Sequence, residues 1–124
     1  MRMNGRSNCP VACTLDILGD KWTLLLVRDI FLGKERFDQF LASPEGIATN
    51  ILADRLARLS EVGIVEPRPN PSHRGRATYH LTARGTQLSP VLDAMAHWGL
   101  ENLPGTRIGK AAAPPRSRRG KPQR

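Results

Sequence analysis

The chain has 124 residues, 40% of them hydrophobic and 24% charged, which is the size and apolar content of one folded domain. No apolar run reaches the roughly 18 residues that a membrane-spanning helix needs, and the basic N-terminus lacks the apolar core of a secretory signal. These features argue against a multi-domain enzyme, a membrane protein and a disulfide-rich scaffold.

The net charge of +8 is concentrated at the C-terminal end. Residues 104–124 contain seven Lys and Arg and no acidic residue, so residues 1–103 hold 12 of the 19 basic residues against all 11 acidic ones. This end is rich in Pro, Gly and Ala, and we predict a disordered basic tail over 104–124. The tail is either a basic arm for phosphate groups or a solubilising extension. A flexible N-terminus is expected over 1–7, and one domain over 8–103.

Helical spacing of apolar residues dominates the first half of the chain. Glycines that stop helices, and Asp20 as a helix cap, set the boundaries. On this basis we predict helices at 10–19, 21–33, 35–42 and 48–62, with a turn at 43–46 and Gly63 as the last stop.

The second half changes its pattern. Short β-type segments at 64–68 and 77–81 predict a hairpin, and Pro90 is expected to kink a final helix over 83–103. The predicted fold is α+β and mostly helical, in the order four helices, hairpin, helix. Two helices joined by a turn and followed by a hairpin are typical of a winged helix-turn-helix domain.

The fourth predicted helix has an apolar side and a polar side. Leu52, Leu56 and Leu59 form one stripe that faces inward. The opposite face and its edges carry side chains that suit contact with DNA, namely Thr49, Asn50, Ala53, Asp54 and Arg58.

Each of these side chains fits a particular contact in a major groove. Asn50 can pair with adenine, Thr49 can contact a phosphate or a thymine methyl, and Ala53 leaves room for the bases. Arg58, one turn further along, would meet the DNA backbone. Asp54 either accepts a hydrogen bond from cytosine N4 or pairs with Arg58 four residues on. The alternative for the whole face is an ordinary solvated helix surface.

Further basic side chains lie at the hairpin loop and near the second helix. Arg74 and Arg76 flank Gly75 at the loop, where an arginine can enter a minor groove, and Arg74 is the better candidate because Arg76 enters a strand. Lys21, at the start of the second helix, is a candidate for contact with phosphate. The alternative is a solvated hairpin tip.

The final helix carries an apolar seam suited to packing against another helix. Leu88, Val91, Met95 and Trp98 follow one another at spacings of three, four and three residues. The seam favours a second copy of the chain, because a domain of this size cannot easily cover it. The alternative is that the seam packs on the first two helices of its own chain.

The cysteines and histidines do not predict an enzyme or a metal site. Cys9 and Cys13 are too few for structural zinc, and their spacing on one helix suits an internal disulfide poorly. His73, His80 and His97 have no partner at a catalytic spacing. We therefore expect no catalytic activity, no cofactor and no metal.

Six segments, taken in order, resemble the HxlR family of bacterial transcription regulators, which are winged helix-turn-helix proteins related to the MarR group. The resemblance covers about residues 8–103. The segments are NCPV (8–11), GDKWTLLLVRDIFLG (19–33), RFDQF (36–40), GIATNILADRLARLSEVGIVEPR (46–68), YHLTARG (79–85) and PVLDAMAHWG (90–99).

The resemblance implies a homodimer whose first and last helices pack across the two-fold axis, with Val11 in that interface. It also implies binding to a pseudo-palindromic operator, with residues 48–62 in the major groove and the hairpin loop as the wing. Cys9 matches a cysteine that senses oxidants or electrophiles in some relatives, and the alternative for it is a small buried residue. A repressor of this kind would act in the cytoplasm, on the nucleoid, in response to such a signal or to a small molecule.

Two other functions remain open from the sequence. The basic tail could drive sequence-tolerant, architectural DNA binding. A winged helix could also serve as a protein-docking module, which the near-neutral body of the chain favours and the arginines of the hairpin loop oppose.

Overall fold

The computed structural model describes residues 7–73 and 75–108. Within these residues it has six helices and one two-stranded antiparallel sheet. The elements in chain order are α1 (Pro10–Leu18), α2 (Thr23–Phe31), α3 (Phe37–Leu41), α4 (Thr49–Glu61), β1 (Val65–Pro69), β2 (Ala77–Leu81), α5 (Ala83–Thr86) and α6 (Ser89–Asn102). The α+β winged-helix architecture expected from the sequence is confirmed.

The prediction of one kinked helix over 83–103 is wrong. The segment divides into α5 and α6, and Pro90 lies in the first turn of α6 instead of in the middle of a longer helix. Proline fits that position because the first turn of a helix needs no backbone N–H for an internal hydrogen bond. Thr82 caps α5 as expected, accepting a hydrogen bond from the backbone N–H of Gly85 at 3.0 Å.

The core joins side chains of α4, α3, α2 and the start of the sheet in one cluster. Leu52, Leu56 and Leu59 are fully buried, together with Phe40 of α3 and Val27 of α2. Burying each such side chain contributes about 1.5–3 kcal/mol. The leucine stripe therefore fixes the rotation of α4 and leaves its other side to solvent.

The hairpin is attached to the domain at its base. β1 and β2 pair from Val65–Leu81 to Pro69–Ala77, and the backbone N–H of Tyr79 donates to the carbonyl of Glu35, just before α3, at 2.8 Å. Gly85 lies so close to the strand that a Cβ there would be 2.2 Å from the carbonyl oxygen of Ile64. The hairpin therefore projects from a fixed base, beside the helix-turn-helix.

α6 stands apart from this core. None of its residues is fully buried, although Leu92, together with Leu88 just before the helix, packs partly against the core. In the described part of the chain, no helix is long and apolar enough to cross a membrane.

Candidate DNA-binding surface

The N-terminal half of α4 presents the side chains that the sequence singles out for base contacts. Ala48 occupies the N-cap and Thr49 is the first helical residue. Thr49, Asn50, Ala53 and Asp54 are all exposed, on the side away from the buried leucines. The structure therefore brings these four side chains together on one face.

Arg58 lies one turn beyond this face and is also exposed. It forms no ion pair within residues 7–73 and 75–108. The expected pairing of Asp54 with Arg58 is therefore not present. Asp54 Oδ2 instead accepts a hydrogen bond from Nη1 of its neighbour Arg55 at 2.6 Å.

Arg55 connects the exposed face of α4 to the start of α2. Its Nε donates to Asp20 Oδ2 at 2.9 Å, and Asp20 also accepts from the backbone N–H groups of Trp22 and Thr23. Partial burial alone would raise the pKa of Asp20, but hydrogen bonds from the Thr23 hydroxyl and from Arg55 outweigh it and lower that pKa to about 2. The sequence predicts Asp20 as a cap for the second helix but gives no signal for its contact with Arg55, which lies 35 residues away.

A second polar network holds the turn between α3 and α4. Arg28 donates to both carboxylate oxygens of Glu45 in the turn, at 2.8 and 2.9 Å, and to Asp29 Oδ1 at 2.7 Å. Asp29 is 3% exposed and accepts a further hydrogen bond from the Ser43 hydroxyl. The hydrogen bond from Arg28 lowers the pKa of Glu45, although partial burial acts in the opposite direction. This network fixes the position of the turn that precedes α4, and the sequence pattern does not reveal it.

The wing places Arg76 at its exposed edge. The loop closes through hydrogen bonds between the backbones of Asn70 and Arg76, at 3.2 Å, and of Arg76 and His73, at 3.1 Å. Arg74 lies outside the described residues. A cleft of about 860 Å³ separates this loop from the start of α3, and charged groups of both signs line it, including Asp38 and Arg76.

Lys21 is exposed close to the Asp20–Arg55 contact. Its ammonium group lies 5.1 Å from the centre of the Trp22 ring, within range of a cation–π interaction. Lys21 therefore lies near the side of α4 that carries Arg55.

The predicted interface residues differ in their exposure. Val11, Val91, Met95 and Trp98 are exposed, with Met95 at 54% and Trp98 at 60%, whereas Leu88 is partly buried against the core. Leu88 therefore packs partly against the core of its own chain, whereas Val91, Met95 and Trp98 of α6 are left exposed.

Cys9 is exposed at the N-cap of α1, so the structure does not support its interpretation as a small buried residue. Its backbone N–H donates to the Ser7 hydroxyl at 3.0 Å, and the Cys13 thiol donates to the Ser7 carbonyl at 3.2 Å. Within the described ranges, no three His, Cys, Asp or Glu residues are grouped as metal ligands would be. Residues 1–6 and 109–124, which include most of the predicted tail, lie outside the described residues.

Comparisons with known proteins agree with this architecture. The chain matches the model of the HxlR-like helix-turn-helix family over residues 17–107. It is 38% identical over 95 residues to the HTH-type transcriptional regulator sll1512 of Synechocystis sp., covering 77% of this chain and 70% of that protein. It spans 63% of the length of the mycobacterial regulators that it also matches.

Two solved structures of regulators share the fold. The redox regulator HypR in its reduced form is 33% identical, with a TM-score of 0.68 over 76% of this chain and 93% of that one. The reduced form of the transcriptional regulator YodB from Bacillus subtilis is 27% identical, with a TM-score of 0.65 over 81% of this chain and 99% of that one.

The relatives are transcription regulators and not enzymes. The family match covers most of the residues that form the winged helix, including the whole of α4 and the hairpin. This chain therefore belongs to the HxlR-like helix-turn-helix family of DNA-binding transcription regulators.

Proposed function

We propose that this regulator binds a pseudo-palindromic promoter operator as a homodimer and represses transcription from that promoter. The observation that carries the proposal is the division of α4 into a buried leucine side and an exposed polar side. A recognition helix must expose its first turns to reach base edges in the major groove.

In this proposal, the first turns of α4 read the bases. Asn50 pairs with adenine through its amide, and Thr49 contacts a phosphate or a thymine methyl group. Ala53 is small enough to let the helix enter the groove, and Asp54 accepts a hydrogen bond from a base. The exposure of all four side chains supports these roles.

The basic side chains around α4 contact the DNA backbone and the minor groove. In this proposal Arg58 and Lys21 bind phosphates beside the recognition helix, and Arg74 and Arg76 of the hairpin loop contact the neighbouring minor groove. The absence of an ion pair at Arg58 within the described residues supports its role, because no protein carboxylate competes with a phosphate for it.

The dimer forms through α1 and α6, with Val11, Leu88, Val91, Met95 and Trp98 in the interface. A 14-residue helix without one fully buried residue, exposing a tryptophan and a methionine, supports burial against a second copy. A two-fold axis there would place two α4 helices about one DNA turn apart, roughly 34 Å.

The signal reaches this dimer through Cys9. Its exposure at the start of α1, one of the two dimer helices, and the fold shared with the redox regulator HypR support an oxidant or electrophile as the signal. A modified thiol there would alter the packing of α1 and thereby the spacing of the two recognition helices. The protein would then act in the cytoplasm, associated with the nucleoid.

The dimer is tested by Trp98→Asp, which places a charge in the proposed interface. His97→Asp is the matched control, since His97 lies on the neighbouring side of α6 and pairs there with Glu101 at 3.4 Å. We expect Trp98→Asp to sediment as a monomer and to lose most of its affinity for an operator selected from random duplexes, while His97→Asp remains a dimer that binds. A folded Trp98→Asp that is still dimeric would contradict the proposed interface.

The same measurement distinguishes this proposal from the two alternatives, a sequence-tolerant DNA binder and a protein-docking module. Full affinity of monomeric Trp98→Asp for any duplex would favour a sequence-tolerant binder that depends on the basic tail. A dimeric wild type without affinity for DNA would favour a docking module.

A further inference from the structure

The recognition helix contains one carboxylate that a neighbouring arginine holds in place. Asp54 Oδ2 accepts from Arg55 Nη1 at 2.6 Å, and the Asp54 side chain is 57% exposed. Its second oxygen, Oδ1, has no hydrogen-bond partner among the described residues. One oxygen is therefore fixed by the protein and the other is free on the face proposed to read DNA.

The arginine is itself fixed from the other side. Its side chain is mostly buried, and its Nε donates to Asp20 at 2.9 Å. Asp20 is in turn held by the backbone N–H groups of Trp22 and Thr23, at 3.0 and 3.1 Å. A continuous chain of hydrogen bonds therefore runs from the start of α2 to the exposed face of α4.

We propose that Arg55 is a positioning residue for base recognition, which with Asp20 holds Asp54 so that its free oxygen accepts a hydrogen bond from cytosine N4. This inference rests on the proposed function, because it assigns a base to one residue of the same helix face. Arg55 does not touch DNA in this account and acts only through Asp54.

The chemistry of a carboxylate favours cytosine over the other bases. An ionised carboxylate only accepts hydrogen bonds, and the donors in the major groove are the amino groups of cytosine and adenine. The acceptor N7 of adenine lies beside its amino group and would repel the carboxylate. Guanine and thymine present acceptors alone at this edge.

Two physical reasons make arginine the suitable residue. A free carboxylate at a DNA surface is repelled by the phosphates, and the adjacent guanidinium offsets that charge. The planar guanidinium also donates in two fixed directions at once, toward Asp20 and toward Asp54, which the ammonium of a lysine does not reproduce. Arg55→Lys therefore keeps the charge and removes the orientation.

The test measures base preference at each position of an operator selected from random duplexes with the reduced, full-length protein. Each base pair is replaced in both half-sites, and wild type, Arg55→Lys, Asp54→Asn and the double variant are compared. We expect wild type to prefer cytosine at one position by about tenfold, and Arg55→Lys to lose most of that preference there. Preference at the other positions, including the adenine contacted by Asn50, should be unchanged.

The double variant distinguishes positioning from a contact of its own. If Arg55 acts only through Asp54, Arg55→Lys has no further effect on base preference in the Asp54→Asn background. Should Arg55→Lys fold poorly, Asp20→Asn replaces it and should weaken preference at the same position. Circular dichroism and sedimentation establish that each variant is folded and dimeric.

Several results would overturn the inference. If Arg55→Lys kept the cytosine preference, Arg55 would have no role in base recognition. The proposed function would still be supported in that case, because the protein would have selected a specific operator. An Arg55→Gln variant, which removes the charge, is measured as well. If it loses affinity equally on every operator sequence and its binding depends less steeply on salt, Arg55 contacts a phosphate directly. A wild type that selects no operator would overturn the proposed function and this inference with it.

Discussion

Arg28→Met is expected to lower the free energy of unfolding by about 2–3 kcal/mol. The substitution removes the guanidinium that donates to the buried Asp29 at 2.7 Å and to Glu45 in the turn at 2.8 and 2.9 Å. Leaving a fully buried charge without its partner costs about 3–5 kcal/mol. We reduce this figure because the Arg28 side chain is 31% exposed and water can reach part of the site.

Urea and thermal denaturation at a fixed protein concentration measure this effect, and for a chain of this length a loss of Tm of about 10 °C is expected. Arg68→Met is the matched control, since its pair with Glu66, at 3.4 Å, is about half exposed and should contribute less than about 0.5 kcal/mol. Arg28→Met with Asp29→Asn should recover part of the loss, because no charge is then left buried. A single variant as stable as Arg68→Met, or a double variant no better than Arg28→Met, would refute the reasoning.

The remaining predictions concern acid stability, DNA recognition and the thiol. The pKa of Asp20 is about 2 in the folded protein against 3.8 for a free aspartate, so its ionised carboxylate stabilises the fold above about pH 4. This contribution is lost as the pH falls toward about 2. Urea unfolding should therefore show that Asp20→Asn is less stable than wild type by up to about 2 kcal/mol near pH 6, and that the difference becomes smaller in acid. Asn50→Ala should reduce the base preference at one operator position by about 1–3 kcal/mol. Arg58→Ala should weaken binding to all sequences and reduce the slope of log affinity against log salt concentration by about 2 for a dimer. Identical effects of the two variants in binding titrations would contradict the assignment of Asn50 to bases and Arg58 to phosphates. Diamide should reduce the operator affinity of wild type and leave Cys9→Ser unchanged, and an unaffected wild type would end the sensor proposal.

Features set by neighbouring residues could be predicted from the sequence. The leucine stripe of α4 predicts its buried side because residues three and four apart lie on one side of a helix. The hairpin is predicted because the spacing of apolar residues changes from helical to β-type after Gly63. Gly63 adopts a φ of 82° where the chain leaves α4. The order of four helices followed by a hairpin, which is typical of the winged-helix fold, depends only on such local patterns.

Contacts between distant segments could not be predicted in this way. A pair of Asp54 with Arg58 is one of the two alternatives that a spacing of four residues allows, yet the donor to Asp54 is Arg55, which Asp20 holds from the turn before α2. Arg28 and Glu45 are 17 residues apart, and their contact depends on how α2 packs beside the turn. Pro90 is compatible with either a kink or a helix start, and in the structure it lies in the first turn of α6.

The central claim is specific recognition of DNA by two copies of α4, and selection of bound sites from random duplexes tests it most directly. The reduced protein is used at about 150 mM salt, both as the full chain and ending after Ile108. The shorter form retains Thr106, whose hydroxyl donates to the Gly99 carbonyl at the end of α6 at 3.0 Å. We expect both forms to recover the same inverted repeat, with half-sites about one helical turn apart. A folded, dimeric short form that enriches no motif would contradict the claim.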